Sequence, residues 1–216
     1  GAAHDCRPTR KSGDHVTDNN YLFAQWQATL GPGVVAPSVF DRILNAYSEP
    51  HRFYHTLAHL ESCFRVLNRF FPTVSQSVRL TLWYHDIVYD TMSERNEDLS
   101  AEWALRDLRV LHLAEADVAD LILATKHVGT SDLSPNAKIV VDVDLAILGE
   151  TTEIYDQYEA NVRKEYAEVP EETFWEHRKR ILQRIANQEW IYQTPAMRHS
   201  DYEARAWQNL HRSLAR

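Results

Sequence analysis

The dipeptide His85-Asp86 belongs to a wider series of imidazoles and carboxylates that also includes His55, His59, His127, Asp142 and Asp144. Nitrogen and oxygen donors of these types are what a borderline divalent metal takes. Each lies in or at the end of an apolar, helix-like stretch, where an ionisable group is costly unless it is paired or binds metal. The pattern points to a metal site built between helices, and so to an enzyme. A mixed N/O set suits Mn, Fe, Co, Ni, Zn or Mg, and the residue types do not choose among them. A cation held there would polarise a phosphoryl oxygen and lower the pKa of a bound water.

Helices must position these groups. Leu57, Leu60, Phe64 and Leu67 recur at helical spacing, as do Leu80, Trp83 and Ile87. Helices are expected at 19–30, 37–48, 54–71, 74–90, 95–112, 114–127, 135–148, 151–168, 171–189 and 200–214, with prolines at or near most breaks. Asn96-Glu97-Asp98 and Thr151-Thr152-Glu153 read as helix starts. The segment 138–148 is rich in β-branched residues and could pass for a buried strand, but its length and the lack of a partner strand favour helix. On a helix, His55 and His59 share a face. His85 and Asp86 diverge by about 100°, so one ion meets both only in the wedge between them. Asp142 and Asp144 point about 200° apart, and one of the two is expected to reach the site.

The 216 residues suffice for one all-helical domain over 19–216, preceded by a tail, 1–18, expected to be disordered. A net charge of −8 argues against duplex nucleic acid, which demands a basic face. A small phosphorylated substrate remains compatible, because a bound cation reverses the local sign. The two cysteines, Cys6 and Cys63, form no zinc or disulfide pattern, the first 18 residues hold no apolar leader, and no apolar run reaches 18 residues. A cytoplasmic protein with no membrane association is the expectation.

The order His…His-Asp…Asp, introduced by Arg52-Phe53-Tyr54-His55, resembles the HD superfamily of metal-dependent phosphohydrolases. RFYHTLAHLES (52–62), WYHDIVYD (83–90), NEDLSA (96–101), ATKH (124–127), DVDLAILG (142–149), VRKEY (162–166) and EARAWQNL (203–210) are similar to one predicted-phosphohydrolase subfamily, across about residues 20–212. The resemblance implies an all-α HD-domain fold and metal ligands His55, His85, Asp86 and Asp144. His55 takes the first position because it follows Arg52 in an R-x-x-H arrangement; Asp144 precedes the Leu of the final motif. His59 and His127 become candidates for phosphate binding, a proton relay or a second metal. Glu97 is a candidate to orient water or act as general base. Arg52, Lys126 and Arg163 could balance phosphate charge.

The implied activity is hydrolysis of a phosphate ester or anhydride of a small metabolite, a nucleotide first among them. Two-metal members supply an extra histidine soon after the HD dipeptide; here that stretch reads Asn96-Glu97, which favours one tightly held ion. No Gly-Tyr-Pro block follows, which argues against a cyclic di-GMP phosphodiesterase. Two alternatives stand beside the hydrolase: a di-iron oxygenase drawing on His59 or His127, and a non-catalytic metal-containing binding protein. Asp142 reads as support or surface, Cys63 as a small core group, Tyr155 and Tyr158 as core, and Glu165-Tyr166 and His177 as surface.

Overall fold

The computed structural model describes residues 17–114, 116–126 and 132–215. The tail lies almost wholly outside them, as does His127. Among the described residues the chain is all-helical, with no strand. The helices are α1 (Asn19–Leu30), α2 (Pro37–Ala46), α3 (Leu57–Phe70), α4 (Gln76–Tyr84), α5 (Asn96–Val110), α6 (Val118–Ala124), α7 (Pro135–Asp144), α8 (Thr152–Glu165), α9 (Glu171–Ala186), α10 (Pro195–Arg198) and α11 (Asp201–Leu214). A 3₁₀ turn, Leu145–Gly149, continues α7. The ambiguous 138–148 segment is therefore helical. No helix among the described residues is long and apolar enough to cross a membrane.

Local chemistry sets most helix starts. Ser75, Ser134, Thr194 and Ser200 stand in extended backbone, and their hydroxyls accept from the N–H groups of Val78, Ala137, Met197 and Tyr202. Such caps contribute about 1 kcal/mol each. Pro37, Pro135 and Pro195 occupy the first turn, where a missing N–H costs nothing. The centre of the packing is α4, whose Val78 and whole run Leu80–Tyr84 are buried. A helix covered on all sides needs neighbours on all sides, and α4 meets α1, α3, α5, α6 and α7. Trp83 packs against Trp26, Phe40 and Phe64, and its Nε1 donates to Thr29 Oγ1 at 3.0 Å.

Several helices are shorter than the periodicity predicts, the one expected over 114–127 spanning Val118–Ala124, and two of the shifted boundaries set the His55 and His85-Asp86 segments. The helix expected over 54–71 begins at Leu57, and the one expected over 74–90 stops at Tyr84. Between these breaks lies the Arg52 guanidinium, whose side chain is 0% exposed. It donates to the carbonyls of His55 (3.1 Å), Asp86 (2.7 Å) and Ile87 (3.0 Å), and to Glu49 Oε2 (3.0 Å). A buried cation must find acceptors; backbone carbonyls not committed to helix ladders supply them. His55 thus lies in a turn and does not share a helix face with His59.

The 3₁₀ turn packs tightly under α11. A Cβ on Gly149 would stand 2.6 Å from the Tyr202 carbonyl oxygen and 2.7 Å from the Tyr192 hydroxyl. Gly149→Ala is therefore expected to destabilise the fold by about 1–3 kcal/mol through overpacking. Thermal unfolding would show a melting point lower by several degrees; an unchanged value would mean that α11 shifts freely.

Candidate metal centre

Four side chains from three parts of the chain converge. His59 comes from the first turns of α3, His85 caps the C-terminus of α4, Asp86 follows it, and Asp144 ends α7. Their donor atoms all lie within 4.8 Å of one another. His59 Nε2 is 3.0 Å from His85 Nε2, 3.5 Å from Asp86 Oδ2 and 3.4 Å from Asp144 Oδ1. His85 Nε2 is 3.1 Å from Asp86 Oδ2 and 3.5 Å from Asp144 Oδ1. Donors around one cation with bonds of about 2.1 Å stand about 3–3.5 Å apart, so the donor set fits a divalent ion.

The tautomer fits as well. His85 Nδ1 lies 2.9 Å from the Leu82 carbonyl oxygen. A carbonyl only accepts, so Nδ1 carries a proton, and Nε2 is the nitrogen turned to the cluster, where its lone pair would bind a metal in place of a proton. Electrostatics ask for positive charge here. Burial favours neutral rings, yet Cys63, Tyr54, Asp144 and Asp86 hold His59 well above the usual imidazole range. Asp86, Tyr47 and Asp144 do the same for His85. Burial works against the Asp86 carboxylate, but the surrounding histidines, His85 foremost, keep it well below its usual range. Protonated rings or a divalent cation satisfy these carboxylates equally in sign.

The imidazoles are buried, while Asp86 and Asp144 line a cavity of about 550 Å³ together with Tyr54, His55, Glu97 and residues of α8 and α9. Three of the four ligands expected from the sequence, His85, Asp86 and Asp144, thus meet. The fourth member of the cluster is His59, which had been a candidate for other roles. His55, expected as first ligand, stands beside the cluster, its ring centre 5.8 Å from that of His59. Its Nδ1 lies 2.8 Å from Glu165 Oε2, and its ring stacks on Tyr89 at 4.0 Å. Asp142 points away, accepting from Gln193 N, Thr194 N and Thr194 Oγ1 at 2.6–2.7 Å. These bonds organise the segment before α10, a helix that no periodicity announces.

The expected phosphate-binding cations lie elsewhere. Arg52 is engaged by three backbone carbonyls and the Glu49 carboxylate. Lys126 Nζ pairs with Asp98 at 2.8 Å. Arg163 donates to the carbonyls of Tyr166 and Val169 and lies over the Phe174 ring. None of the three lines the cavity. The cationic or titratable nitrogen groups that do are His55, His177 and Arg178, the last held by Glu159 and Tyr158. Glu97 lines the cavity from the first turn of α5.

Sequence reading missed Glu165. Its Oε1 accepts from the N–H groups of Phe53, Tyr54 and His55 at 2.7–2.9 Å, and its Oε2 accepts from the Tyr89 hydroxyl at 3.0 Å besides meeting His55. One signal was present: Tyr155, Tyr158, Val162 and Glu165 continue one helical stripe, so an acid sits where an apolar group belongs.

Burial alone would raise the Glu165 carboxyl, but the His55 ring and the N–H groups of His55 and Tyr54 hold it down at about 2. This folded value is below the ordinary 4.5, so the stability it contributes is present above about pH 4.5 and is lost as pH falls towards 2. The contribution is on the order of 3 kcal/mol. Urea unfolding of Glu165→Gln is expected to show a loss of that order at pH 7, with the gap to wild type shrinking between pH 5 and 2. A gap independent of pH would mean that the ionised carboxylate is not what Glu165 provides.

No family model, no curated protein and no solved structure matches the chain.

Proposed function

We propose that the chain is a metal-dependent phosphohydrolase of the HD type, acting on a small phosphorylated metabolite, with a nucleotide as the leading class. The observation that carries this reading is the convergence of His59, His85, Asp86 and Asp144 at one wall of a ligand-sized cavity. The order of the His and Asp blocks along the chain, which resembles that superfamily, supports it. These four residues would hold one divalent cation, which supplies an activated water and offsets phosphoryl charge.

The protein's own groups then have distinct tasks. Asp86 and Asp144 face the cavity, while His59 and His85 hold their ring nitrogens from beneath, on the firmest part of the core. Glu97 is the carboxylate on the facing helix start that can orient a water or accept its proton. Glu165 holds His55 with its Nδ1 proton turned to the carboxylate, which leaves the other ring nitrogen to accept a proton or a ligand. With Arg178 held by Glu159, the bound cation rather than Arg52, Lys126 or Arg163 would balance phosphate charge. Arg52 acts at one remove, by holding the backbone on which His55 and Asp86 stand.

Phosphate release from nucleotides, sugar phosphates and aryl phosphates with added Mn²⁺, Co²⁺, Ni²⁺ or Mg²⁺ tests this. Release by wild type, with a fall of roughly 10²-fold or more in a folded Asp86→Asn variant, is the expected result. Metal analysis of purified variants should show His59→Gln losing the bound ion and His55→Gln retaining it. Equal release by wild type and Asp86→Asn, or silence across the panel with metal bound, would overturn the hydrolase reading. Metal lost by His55→Gln and kept by His59→Gln would restore the ligand set expected from the sequence.

A further inference from the structure

The cavity is larger than a phosphate requires. At about 550 Å³ it falls in the range, roughly 300–1,000 Å³, that encloses a whole small molecule. Its walls differ in chemistry. Polar side chains of the 91–97 stretch (Thr91, Ser93, Asn96 and Glu97) form one part. The wall from α8 and α9 is mainly apolar: Val162, Phe174, Ile181, Leu182 and Ile185 line it together with Tyr158, Thr173, His177 and Arg178. Phe174, Leu182 and Ile185 are core residues that turn one side to the cavity, whereas Ile181 is 41% exposed at its edge. Among the polar groups of that wall, Arg178 and Tyr158 are engaged with each other and Arg178 with Glu159, while Thr173 and His177 are exposed. A polyhydroxylated body laid there would find Thr173 and His177 but leave the hydroxyls over Val162, Phe174, Ile181, Leu182 and Ile185 without partners, which is costly. An apolar or aryl body would cover exposed Ile181 and gain by leaving water.

We propose that, in place of the nucleotide that the sequence resemblance favours, this cavity takes a phosphomonoester whose organic part is an apolar or aryl body lying along α9, its phosphate turned to the His59, His85, Asp86 and Asp144 cluster. The phosphate end rests on the phosphohydrolase reading; the apolar end rests on the wall itself. The acidic lining of the cavity, Asp86, Glu94, Glu97 and Asp144, matches a substrate whose only strong charge is the group that meets the cation.

Two measurements test this on the Mn²⁺-loaded protein. The first compares kcat/KM for 1-naphthyl phosphate, a nucleoside 5′-monophosphate and glycerol 3-phosphate. The second compares binding of naphthylmethylphosphonate and methylphosphonate by calorimetry, which needs no turnover. Naphthyl phosphate is expected to exceed glycerol phosphate by roughly ten-fold or more, with the nucleotide between them, and the larger phosphonate to bind more tightly by a similar factor. Ile181→Asn should narrow both ratios by roughly three-fold or more, and Ile181→Ala replaces it if the first variant unfolds. A preference for glycerol phosphate or the nucleotide, or ratios indifferent to both Ile181 variants, would overturn the apolar-body assignment. Phosphonate discrimination without any phosphate release would overturn the hydrolase reading while upholding the cavity's ligand class. Neither release nor discrimination would overturn both.

Discussion

The buried guanidinium of Arg52 is the interaction on which the site depends. Arginine keeps its charge in any environment, and a side chain with no exposure must be met by acceptors throughout. Three of those acceptors are the carbonyls of His55, Asp86 and Ile87, so one cation ties together the turn before α3 and the chain after α4. Glu165 completes the arrangement from the opposite sign, collecting the N–H groups of residues 53–55. The peptide groups of this turn are thus held by a buried cation on one side and a buried anion on the other. Neither interaction belongs to a helix ladder, and both stop helices from running through the residues that carry the site.

This frame explains how two imidazoles and two carboxylates come to stand within 4.8 Å at a cavity wall. His85 rides on the end of α4, the most enclosed helix of the fold, and its ring is oriented by the Leu82 carbonyl. His59 lies on α3, with Cys63 filling the space one turn further on at 3.7 Å. Asp144 arrives from α7, which packs on both α3 and α4. Donors mounted on packed helices are held more closely than donors on loops, and a metal site needs that precision. The same packing buries the rings and leaves the carboxylates at the cavity, a division of labour suited to holding a cation where a substrate can reach it.

Much of this was legible along the chain. Helix positions follow from apolar residues at three- and four-residue spacing, from Ser and Thr caps, and from prolines at the breaks, all of which act over a few residues. The choice of Asp144 over Asp142 came from motif order, and the structure places them accordingly: Asp144 in the cluster, Asp142 on the backbone of Gln193 and Thr194. His85-Asp86 stood out because ionisable groups are costly beside an apolar run. The sequence therefore determined the all-helical class, the core stripes and three members of the cluster.

The rest required contacts between residues far apart. Spacing made His55 and His59 equivalent on one helix face; the capture of residues 53–55 by Arg52 and Glu165 removed His55 from that helix and left His59 in the cluster. Arg52 and Arg163 resemble phosphate ligands in a linear reading because a guanidinium matches phosphate and backbone carbonyls alike. Glu165 looked like a surface acid, since the N–H groups it accepts from lie more than a hundred residues earlier. Periodicity and capping are properties of a few neighbouring residues and survive in the sequence. Which polar group ends beside which depends on burial and hydrogen-bond demand across the whole chain, and those demands are met only once the helices have packed.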